Sequence, residues 1–549
     1  MTNPVPDTTP ASQVSETVPF AHVDDWDIPG TEVMRDHDGL QFQREAGGSG
    51  QVLVPQPTLN PHDPLNWSVK WKALVTGAQA IFTFIAVSTC LSLAPMNGIL
   101  AQLWGKGPTD TGMLTGALVI ALAFSNLIIV PCSNIFGRRI TTIVTTALSF
   151  FLSIWEAKAT SYNSFLASRI LTGLAIAGCQ TLMVQVIADL YFIHQRGRLM
   201  GLYFTVFFLG LFIGPVISGN MASSYGWRSF FWLTFALLGF ALIALVVGGP
   251  ETRWRRGGAA AEQQQQQQQA LEEPSDKEAN TPGVADAEGG GVRSLVGKGY
   301  PSKQQWRLWQ PLDADWRQTL WSDFVSPLPK FFNPILLWVG VTLAGVPACL
   351  LFWNLTQEPM LAGPPYNFSP SAMGYCNFAF VVGGLVGLAT AGPLTDYVSN
   401  KMTERNNGVR EAEFRLPTLI PFVAIMTVSY AVGAVGFHRH WHWAIQVVIG
   451  YGFTGVTVTT IPAIVVAYAV DCYTPVAGDI MVVATVWKDV YGFAMSYWVF
   501  PLIAKKGILT PAMVQFAIAA FPMVLAVPLY FYGKKLRRWT RGSAWHKPK

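Results

Sequence analysis

Charged residues are scarce in this chain, and its cysteines form no recognisable motif. Only 13% of the 549 residues are Asp, Glu, Lys or Arg, whereas a soluble domain averages about 25%. The six cysteines fall singly within or beside different apolar runs, without a CxxC pair: Cys90, Cys132, Cys179, Cys349, Cys376 and Cys472. We interpret them as packing residues and expect neither a metal site nor a cofactor. The scarcity of charge, together with long apolar runs, excludes an ordinary globular enzyme.

The sequence also lacks the motifs that carry catalysis or nucleotide binding. It contains no HExxH, no P-loop and no Ser/His/Asp grouping, and its densest histidines, His438, His440 and His442, alternate along a predicted loop. Without an ATP-binding motif, active transport would have to draw its energy from a gradient. The basic residues form short clusters beside apolar runs, which fits topology and anionic lipid contact rather than nucleic-acid binding. We therefore expect no enzyme; a membrane-embedded enzyme or receptor is only the third alternative.

Long apolar runs are abundant. Twelve of them, each roughly 18–25 residues, are long enough to cross a bilayer, and a polar interruption separates them into two sets of six. The first set lies at about 73–95, 112–132, 140–158, 164–188, 199–222 and 228–248, and the second at about 333–353, 371–393, 416–437, 443–469, 478–500 and 509–532. This pattern predicts an all-α membrane protein with 12 transmembrane helices in two six-helix halves. In such a protein the substrate path lies between the halves, near the midplane.

Polar segments divide the chain into five regions. We predict a disordered cytosolic tail over residues 1–70, an N-terminal half over 71–250, a central cytosolic loop over 251–330, a C-terminal half over 331–533 and a basic cytosolic tail over 534–549. The loop contains a glutamine tract, Gln263–Gln269, and most of it has no helix or strand period, so it cannot fold alone. No basic segment precedes an apolar core near residue 1, so we predict no cleavable signal peptide.

Lys and Arg concentrate in the connections after even-numbered spans and in the tail. They are Arg138, Arg139, Arg196, Arg198, Lys401, Arg405, Arg410, Arg415, Lys534, Lys535, Arg537, Arg538 and Arg541. Because cytosolic loops carry such an excess, both termini are predicted to be cytosolic. The sequons at Asn354 and Asn367 then fall in an outside loop, where they are glycosylation candidates. We expect the plasma membrane, with a vacuolar or other endomembrane location as the alternative.

The turn after span 2 is tight and cationic. It reads Asn134-Ile-Phe-Gly137-Arg138-Arg139, and the equivalent point of the second half reads Gly392-Pro-Leu-Thr-Asp396. Related turns at matching positions favour an internal repeat. A simple topology anchor would also explain the arginines, so both interpretations stay open.

Span 4 contains an arginine within the membrane. Arg169 lies about one-third of the way in, and an arginine at the centre of a bilayer costs at least ~2.5–3.5 kcal/mol unless it faces water or a partner. Gln180 follows about three helical turns later and therefore shares its face. Glu156, near the outer end of span 3, is a candidate partner. We favour an interior role for Arg169 over the alternative, in which it snorkels to the outer surface.

Span 5 combines closely spaced glycines with a proline. It reads Gly210-Leu-Phe-Ile-Gly214-Pro215-Val-Ile-Ser-Gly219. Gly210 and Gly214 form a GxxxG face that allows another backbone to approach closely. Pro215 removes a helix hydrogen bond and can bend the helix. A GxxxG alone usually reflects packing, whereas GxxxGP followed by a further glycine is more specific.

Span 11 contains two adjacent charges, Lys488 and Asp489, about ten residues in and thus near the midplane. Intramembrane charge indicates function by default, and either residue could titrate or pair with another span. A structural ion pair is the alternative, although neighbours on a helix need not pair with each other. For a cavity between the halves we predict walls of aromatic and amide side chains such as Gln180, Gln185, Tyr203 and Trp487.

Together these segments resemble the major facilitator superfamily over roughly residues 55–535. Gly137 to Arg139 is similar to its loop motif after span 2, Arg169 with Gly173 to its span-4 motif, and Gly210 to Gly219 to the span-5 motif of proton-coupled antiporters. Further stretches resemble a fungal drug:proton antiporter-like group, and some of them also the branch that contains a fungal polyamine and cation transporter. These are Asp63–Trp67, Asp189–Phe192, Arg196–Gly197, Pro250–Arg253, Gly363–Tyr366, Arg405–Gly408 and Glu413–Leu416.

The resemblance implies the major facilitator fold and alternating access, in which two halves rock around a central cavity and a proton gradient drives transport. Arg169 would then influence proton coupling, and the glycines of span 5 would influence leakage and exchange. Asn134 departs from the family, which usually has an Asp there, so the turn lacks an anion beside its arginines. Asp396 keeps the acid in the second half.

We expect a proton-driven exporter of a small hydrophobic organic compound, such as a drug, toxin or secondary metabolite. Its partners would be that compound, protons and the lipid bilayer, and we expect a monomer. The alternative is a proton-coupled importer of a polyamine, an organic cation or another nutrient. Acidic residues that face the cavity would favour a cation, and the candidates are Asp489, Glu156 and Glu358.

Overall fold

The computed structural model describes residues 31–33, 57–58, 60–254, 296–310, 316–406, 409–473 and 477–540. Long helices dominate these residues, and eleven of them are long and apolar enough to cross a membrane. A further long helix, Ala477–Lys506, carries Lys488 and Asp489 in its middle and brings the long helices of the described residues to twelve. The predicted all-α architecture with 12 spans is confirmed. The glutamine tract Gln263–Gln269 and most of the predicted N-terminal tail lie outside the described residues.

The first six spans form the N-terminal half. They are span 1 (Val69–Ser88), span 2 (Pro108–Phe136), span 3 (Arg138–Lys158), span 4 (Tyr162–Leu190), span 5 (Ile193–Tyr225) and span 6 (Arg228–Gly248). Span 4 consists of two helices, Tyr162–Ile176 and Gly178–Leu190, that meet at Ala177. A short helix, Asn97–Trp104, lies between spans 1 and 2.

The last six spans form the C-terminal half. They are span 7 (Pro334–Leu361), span 8 (Pro370–Arg405), span 9 (Leu419–His438), span 10 (Trp443–Cys472), span 11 (Ala477–Lys506) and span 12 (Leu509–Thr540). Two short helices of the central loop, Trp316–Val325 and Pro327–Lys330, precede span 7. The largest apolar core runs through both halves.

Short connections make successive spans antiparallel. Gly137 alone separates spans 2 and 3, and its φ of +105° lies in the region that favours glycine. Because the number of spans is even, span 1 begins and span 12 ends on the same side of the membrane. We call this the terminal side and the opposite one the far side; the terms assign neither side to the cytosol.

Span 1 is shorter than predicted. It ends at Ser88 rather than near residue 95, and a 3-10 turn, Ala94–Met96, follows. The hydroxyls of Ser88 and Thr89 donate to the backbone oxygens of Phe84 and Ala86, at 2.7 and 2.8 Å. Such local bonds compete with the helix, and Pro95 cannot continue it. The apolar run is therefore longer than the helix that it forms.

The segment before span 1 is folded, which corrects the predicted extent of the disordered tail. Trp67 is fully buried. Asp63 accepts hydrogen bonds from the backbone of Thr58 and Leu65, each at 3.0 Å, and so closes the turn. Residues 296–300 of the central loop return to this turn, and Ser68 N donates to Gly299 O at 3.0 Å.

A two-stranded antiparallel sheet joins distant parts of the chain. Strand β1, Thr31–Val33, pairs with strand β2, Val409–Glu411, and Glu32 lies opposite Arg410. β1 lies in the predicted N-terminal tail, whereas β2 lies between spans 8 and 9. The predicted tail therefore reaches the C-terminal half.

Candidate transport cavity

A cavity of about 140 Å³ lies between the two halves. The turn that follows span 1, together with spans 2, 4 and 5, forms one wall, and spans 7, 10 and 11 form the other. Four aromatic side chains of span 5 face it: Tyr203, Phe204, Phe207 and Phe208. The remaining wall is mainly aliphatic, so the cavity suits a ligand with substantial apolar surface.

The main charged feature of the cavity is an ion pair on span 11. Lys488 Nζ lies 3.4 Å from Asp489 Oδ1, so the two neighbours do pair with each other. Asp489 is only 4% exposed, and its other oxygen, Oδ2, meets no hydrogen-bond donor among the described residues. Lys488 Nζ also lies 5.3 Å from the ring centroid of Phe207. A buried carboxylate oxygen without a donor is costly, so this point of the wall suits a proton or a cationic ligand.

Two of the four predicted cavity residues line the cavity. Gln180 accepts a hydrogen bond from Asn126 Nδ2 at 2.9 Å, and the Tyr203 hydroxyl donates to the backbone oxygen of Gln180 at 2.9 Å. These bonds fix the polar part of the wall opposite span 11. Span 4 can place Gln180 there because its two helices meet at Ala177, three residues earlier.

The other two predicted cavity residues lie elsewhere, which corrects that part of the prediction. Gln185 accepts a hydrogen bond from Ser133 Oγ at 2.7 Å, near the terminal end of span 2. Trp487 packs on Gly340 of span 7, where an added Cβ would lie 2.3 Å from Trp487 Cδ1. Gln185 and Trp487 were predicted from their residue types and their spans. Each lies on a helix face that points away from the cavity.

Arg169 is fully buried inside the N-terminal half, so the snorkelling alternative is wrong. Its Nη1 lies 3.5 Å from Glu156 Oε1, as the predicted pair requires. Its Nη2 donates to Thr89 O at 3.2 Å, and Thr89 caps the C-terminal end of span 1. The guanidinium therefore sits at the negative end of that helix dipole. Neither Arg169 nor Glu156 lines the cavity, so any effect on transport must be indirect, through the spans that they hold together.

The glycines of span 5 allow close backbone approach, as the GxxxG spacing suggests. A Cβ at Gly210 would lie 2.8 Å from Phe84 O, and one at Gly214 would lie 2.2 Å from Ser88 O, both in span 1. A Cβ at Gly219 would instead lie 2.5 Å from Pro370 O, at the start of span 8. Gly210 and Gly214 thus serve packing within a half, and Gly219 serves packing between halves. Pro215 lies between these two contacts.

The halves are closed against each other on the far side. Besides the contact at Gly219, Ser371 N donates to Ser223 Oγ at 3.1 Å, and a Cβ at Gly116 would lie 2.3 Å from Ser496 Oγ. Each of these contacts joins one half to the other. From the midplane the cavity extends toward the terminal side, where Tyr203 and Met481 line it. This arrangement gives the cavity a closed far side.

The charges of the turn after span 2 form a cluster on the terminal side. Arg138 Nε donates to Asp189 Oδ2 at 3.0 Å, and Arg138 Nη1 donates to Asn134 Oδ1 at 2.9 Å. Glu251 accepts hydrogen bonds from the backbone nitrogens of Arg138 and Arg139, at 2.9 and 3.1 Å, and so caps span 3. Arg139 also donates to the backbone oxygen of Val246, at 2.9 Å.

The C-terminal half repeats this arrangement. Arg415 Nε donates to Asp471 Oδ2 at 2.6 Å, and Arg415 Nη1 lies 4.0 Å from Asp396 Oδ1. In each half an arginine thus bridges the end of the second span and the end of the fourth. We did not predict Asp189, Glu251 or Asp471 as partners. The signal that could have identified Asp189 and Asp471 is their matching position at the ends of spans 4 and 10.

The two glycosylation candidates differ in exposure. Asn354 is 3% exposed within span 7, which argues against its modification. Asn367 is exposed in the connection between spans 7 and 8. Among the described residues, no group of three or more His, Cys, Asp or Glu side chains is placed to hold a metal ion.

Comparisons with known proteins agree with this architecture. A family model described as Major Facilitator Superfamily matches residues 78–495. The chain is 26% identical over 549 residues to Protein HOL1 of Saccharomyces cerevisiae, covering 90% of this chain and 91% of that one. It is 23% identical over 482 residues to efflux pump radE of Floropilus chiversii, covering 87% and 83%. The proton:xylose symporter XylE, solved with 6-bromo-6-deoxy-D-glucose, has a TM-score of 0.57 at 13% identity over 84% of this chain and 97% of that one, which shows the fold alone.

Proposed function

This chain belongs to the Major Facilitator Superfamily, and we propose that it is a proton-coupled exporter of a small hydrophobic organic compound. It is a multi-pass membrane transporter and not an enzyme. The observation that carries the proposal is the aromatic cavity between two halves that are closed on the far side. A site enclosed between two halves can be exposed to each side in turn when the halves rock. The similarity to efflux pump radE supports export.

We assign proton coupling to Asp489. Its carboxylate lies on the cavity wall, and one oxygen lacks a hydrogen-bond donor among the described residues, so a proton from the cavity can bind there. Protonation would weaken the attraction to Lys488 and free its ammonium group. Glu156 is enclosed with Arg169 away from the cavity, so it has no comparable access. We give Arg169 a positioning role at the end of span 1.

We further propose that the terminal side is cytosolic and that the protein acts as a monomer in the plasma membrane. The clusters around Arg138 and Arg415 lie on that side, as the excess of basic residues in cytosolic loops requires. The division into two halves belongs to the same proposal, with the N-terminal half starting at Val69 and the C-terminal half extending through span 12 to Thr540 rather than ending at 533.

A transport assay with a collapsible gradient tests this function. Cells with and without the protein receive labelled hydrophobic toxins, polyamines and organic cations. For an exporter, the protein should lower accumulation, and collapse of the proton gradient should raise it again. Asp489→Asn should abolish the dependence on the gradient, whereas Asp110→Asn, in the first turn of span 2 at the far side, should not. An Asp489→Asn variant that keeps gradient-dependent export would overturn the assignment to Asp489.

A second candidate is proton-coupled import of an organic cation, and the open oxygen of Asp489 favours it. A cation there would gain a carboxylate and the neighbouring aromatic rings of span 5. In the same assay an importer would raise accumulation of the cation, and collapse of the gradient would lower it. Asp489→Asn would then impair transport of cations more than that of neutral compounds.

A further inference from the structure

Two short helices of the central loop touch both halves of the transporter. The helix Trp316–Val325 packs against span 2, and the helix Pro327–Lys330 packs against span 11. We call them the loop-helix pair. Span 2 belongs to the N-terminal half and span 11 to the C-terminal half, so the pair links the halves on the terminal side.

The loop-helix pair is anchored firmly to the C-terminal half. Asp479, in the first turn of span 11, accepts a hydrogen bond from Ser326 Oγ at 2.8 Å and forms a salt bridge with Lys330. Lys330 is only 2% exposed, so separating this pair would leave a buried charge. Asn333 then caps span 7 directly after the pair. These contacts make the pair move with spans 7 and 11.

The contact with the N-terminal half includes a charge-assisted hydrogen bond between side chains, Asn134 Nδ2 to Asp323 Oδ2, at 2.7 Å. Asp323 is 6% exposed. The other end of the Asn134 amide accepts a hydrogen bond from Arg138 at 2.9 Å. Asn134 thus uses its side-chain nitrogen as a donor and its side-chain oxygen as an acceptor. An aspartate at position 134 would have no donor for Asp323 and would face it with a like charge.

We propose that Asn134 and Asp323 form a latch that stabilises the far-side-closed state, with Asp323 as its positioning residue. Because the loop-helix pair is anchored to spans 7 and 11, rocking of span 2 relative to span 11 must strain or break this bond. Breaking it lowers the barrier to closing the terminal side and opening the far side. The inference rests on the proposed alternating access.

Distances between labelled positions test the latch. Spin labels at Gly201 and Gly392, where an added side chain meets no atom within 4 Å, report on the terminal side. Labels at Gly107 and Gly363, where an added side chain also meets no atom within 4 Å, report on the far side. Asn134→Asp should shift the population toward the state with a shorter terminal-side distance and a longer far-side distance. The ratio of the two states should change by about tenfold or more, which corresponds to the free energy of a charge-assisted hydrogen bond.

Three further variants make the test specific. Asp323→Ala removes the acceptor without altering a span and should give the same shift. The exchange Asn134→Asp with Asp323→Asn restores one donor and one acceptor and should return the distances to those of the wild type. Ser322→Ala, on an exposed position of the same loop helix, should change nothing.

The outcomes separate the latch from the proposed function. Unchanged distances in Asn134→Asp and Asp323→Ala, or failure of the exchange to restore them, would overturn the latch. In proteoliposomes, the variants that lack the bond between Asn134 and Asp323 should differ from the wild type more in maximal transport rate than in the substrate concentration at half-maximal rate. Absence of gradient-driven transport by the wild type would instead overturn the proposed function, while the distances would still decide on the latch.

Discussion

Gly219→Ala should disfavour the far-side-closed state more than it destabilises either half. Gly219 is the point at which span 5 of one half meets span 8 of the other. An added methyl group would lie 2.5 Å from Pro370 O and 3.2 Å from the Cα of Gly374. Both neighbours are backbone atoms, so neither can move aside by changing a rotamer. The helices must separate instead.

The expected size follows from this overlap. Ordinary van der Waals contact begins at 3.4 Å, so spans 5 and 8 must part by about 1 Å. Forcing one extra carbon into a tight contact costs about 1–3 kcal/mol. The gain in helix propensity of alanine over glycine, about 1 kcal/mol, is present in every state of the transporter and cancels. Because 1.4 kcal/mol corresponds to a factor of ten, the far-side-closed state should lose about 5- to 150-fold in relative population.

The same far-side labels, at Gly107 and Gly363, measure this change. Two matched variants in span 5 serve as controls. Gly201→Ala meets no atom within 4 Å and should leave the distance unchanged. Gly214→Ala would collide with Ser88 O inside the N-terminal half, so it should lower the melting temperature of the purified protein rather than shift the distance. If Gly219→Ala behaves like Gly201→Ala, span 5 and span 8 do not meet as described, and the reasoning fails.

Three further predictions concern charge, modification and the central loop. Arg169→Ala should lower the free energy of unfolding by about 3–5 kcal/mol because it leaves Glu156 buried without its partner. Adding Glu156→Gln should recover part of that loss, and equal thermal stability of Arg169→Ala and the wild type would contradict the buried pair. Asn367→Gln should increase electrophoretic mobility if an oligosaccharide is attached there, whereas Asn354→Gln should not; a shift for Asn354→Gln would show that span 7 exposes it during synthesis. Deletion of Gln263–Gln269 should leave transport intact, and lost activity at normal surface expression would give the tract a role.

Much of the fold follows from short stretches of sequence. Each span is apolar over enough consecutive residues to cross a bilayer, and that property needs no information from the rest of the chain. Span 11 is the instructive case, since Lys488 and Asp489 reduce its hydropathy and yet it is one of the twelve long helices. The misplaced end of span 1 shows the limit of this reasoning, because hydropathy alone does not locate the hydroxyls and the proline that end the helix.

The cavity was only partly predictable. The GxxxG spacing correctly indicated close backbone approach. The pairing of Arg169 with Glu156 was predicted from the cost of a membrane-embedded charge and from the position of Glu156 near the outer end of span 3. Gln185 and Trp487 have suitable side chains on suitable spans but lie on the wrong helix faces. Helix rotation is decided by packing against neighbouring spans, which a single sequence does not reveal.

By itself the sequence determined the class of protein, the number of spans, the division into halves and the motifs of span 5, because these depend on residues close together in the chain. Apart from the pair of Arg169 and Glu156, only the tertiary structure decided which charges meet. Arg138 bonds to Asp189 of another span, and Asn134 bonds to Asp323 across the polar loop. The physical reason is that a buried or membrane-embedded charge must find a partner in space, and distance along the chain does not restrict which partner it finds.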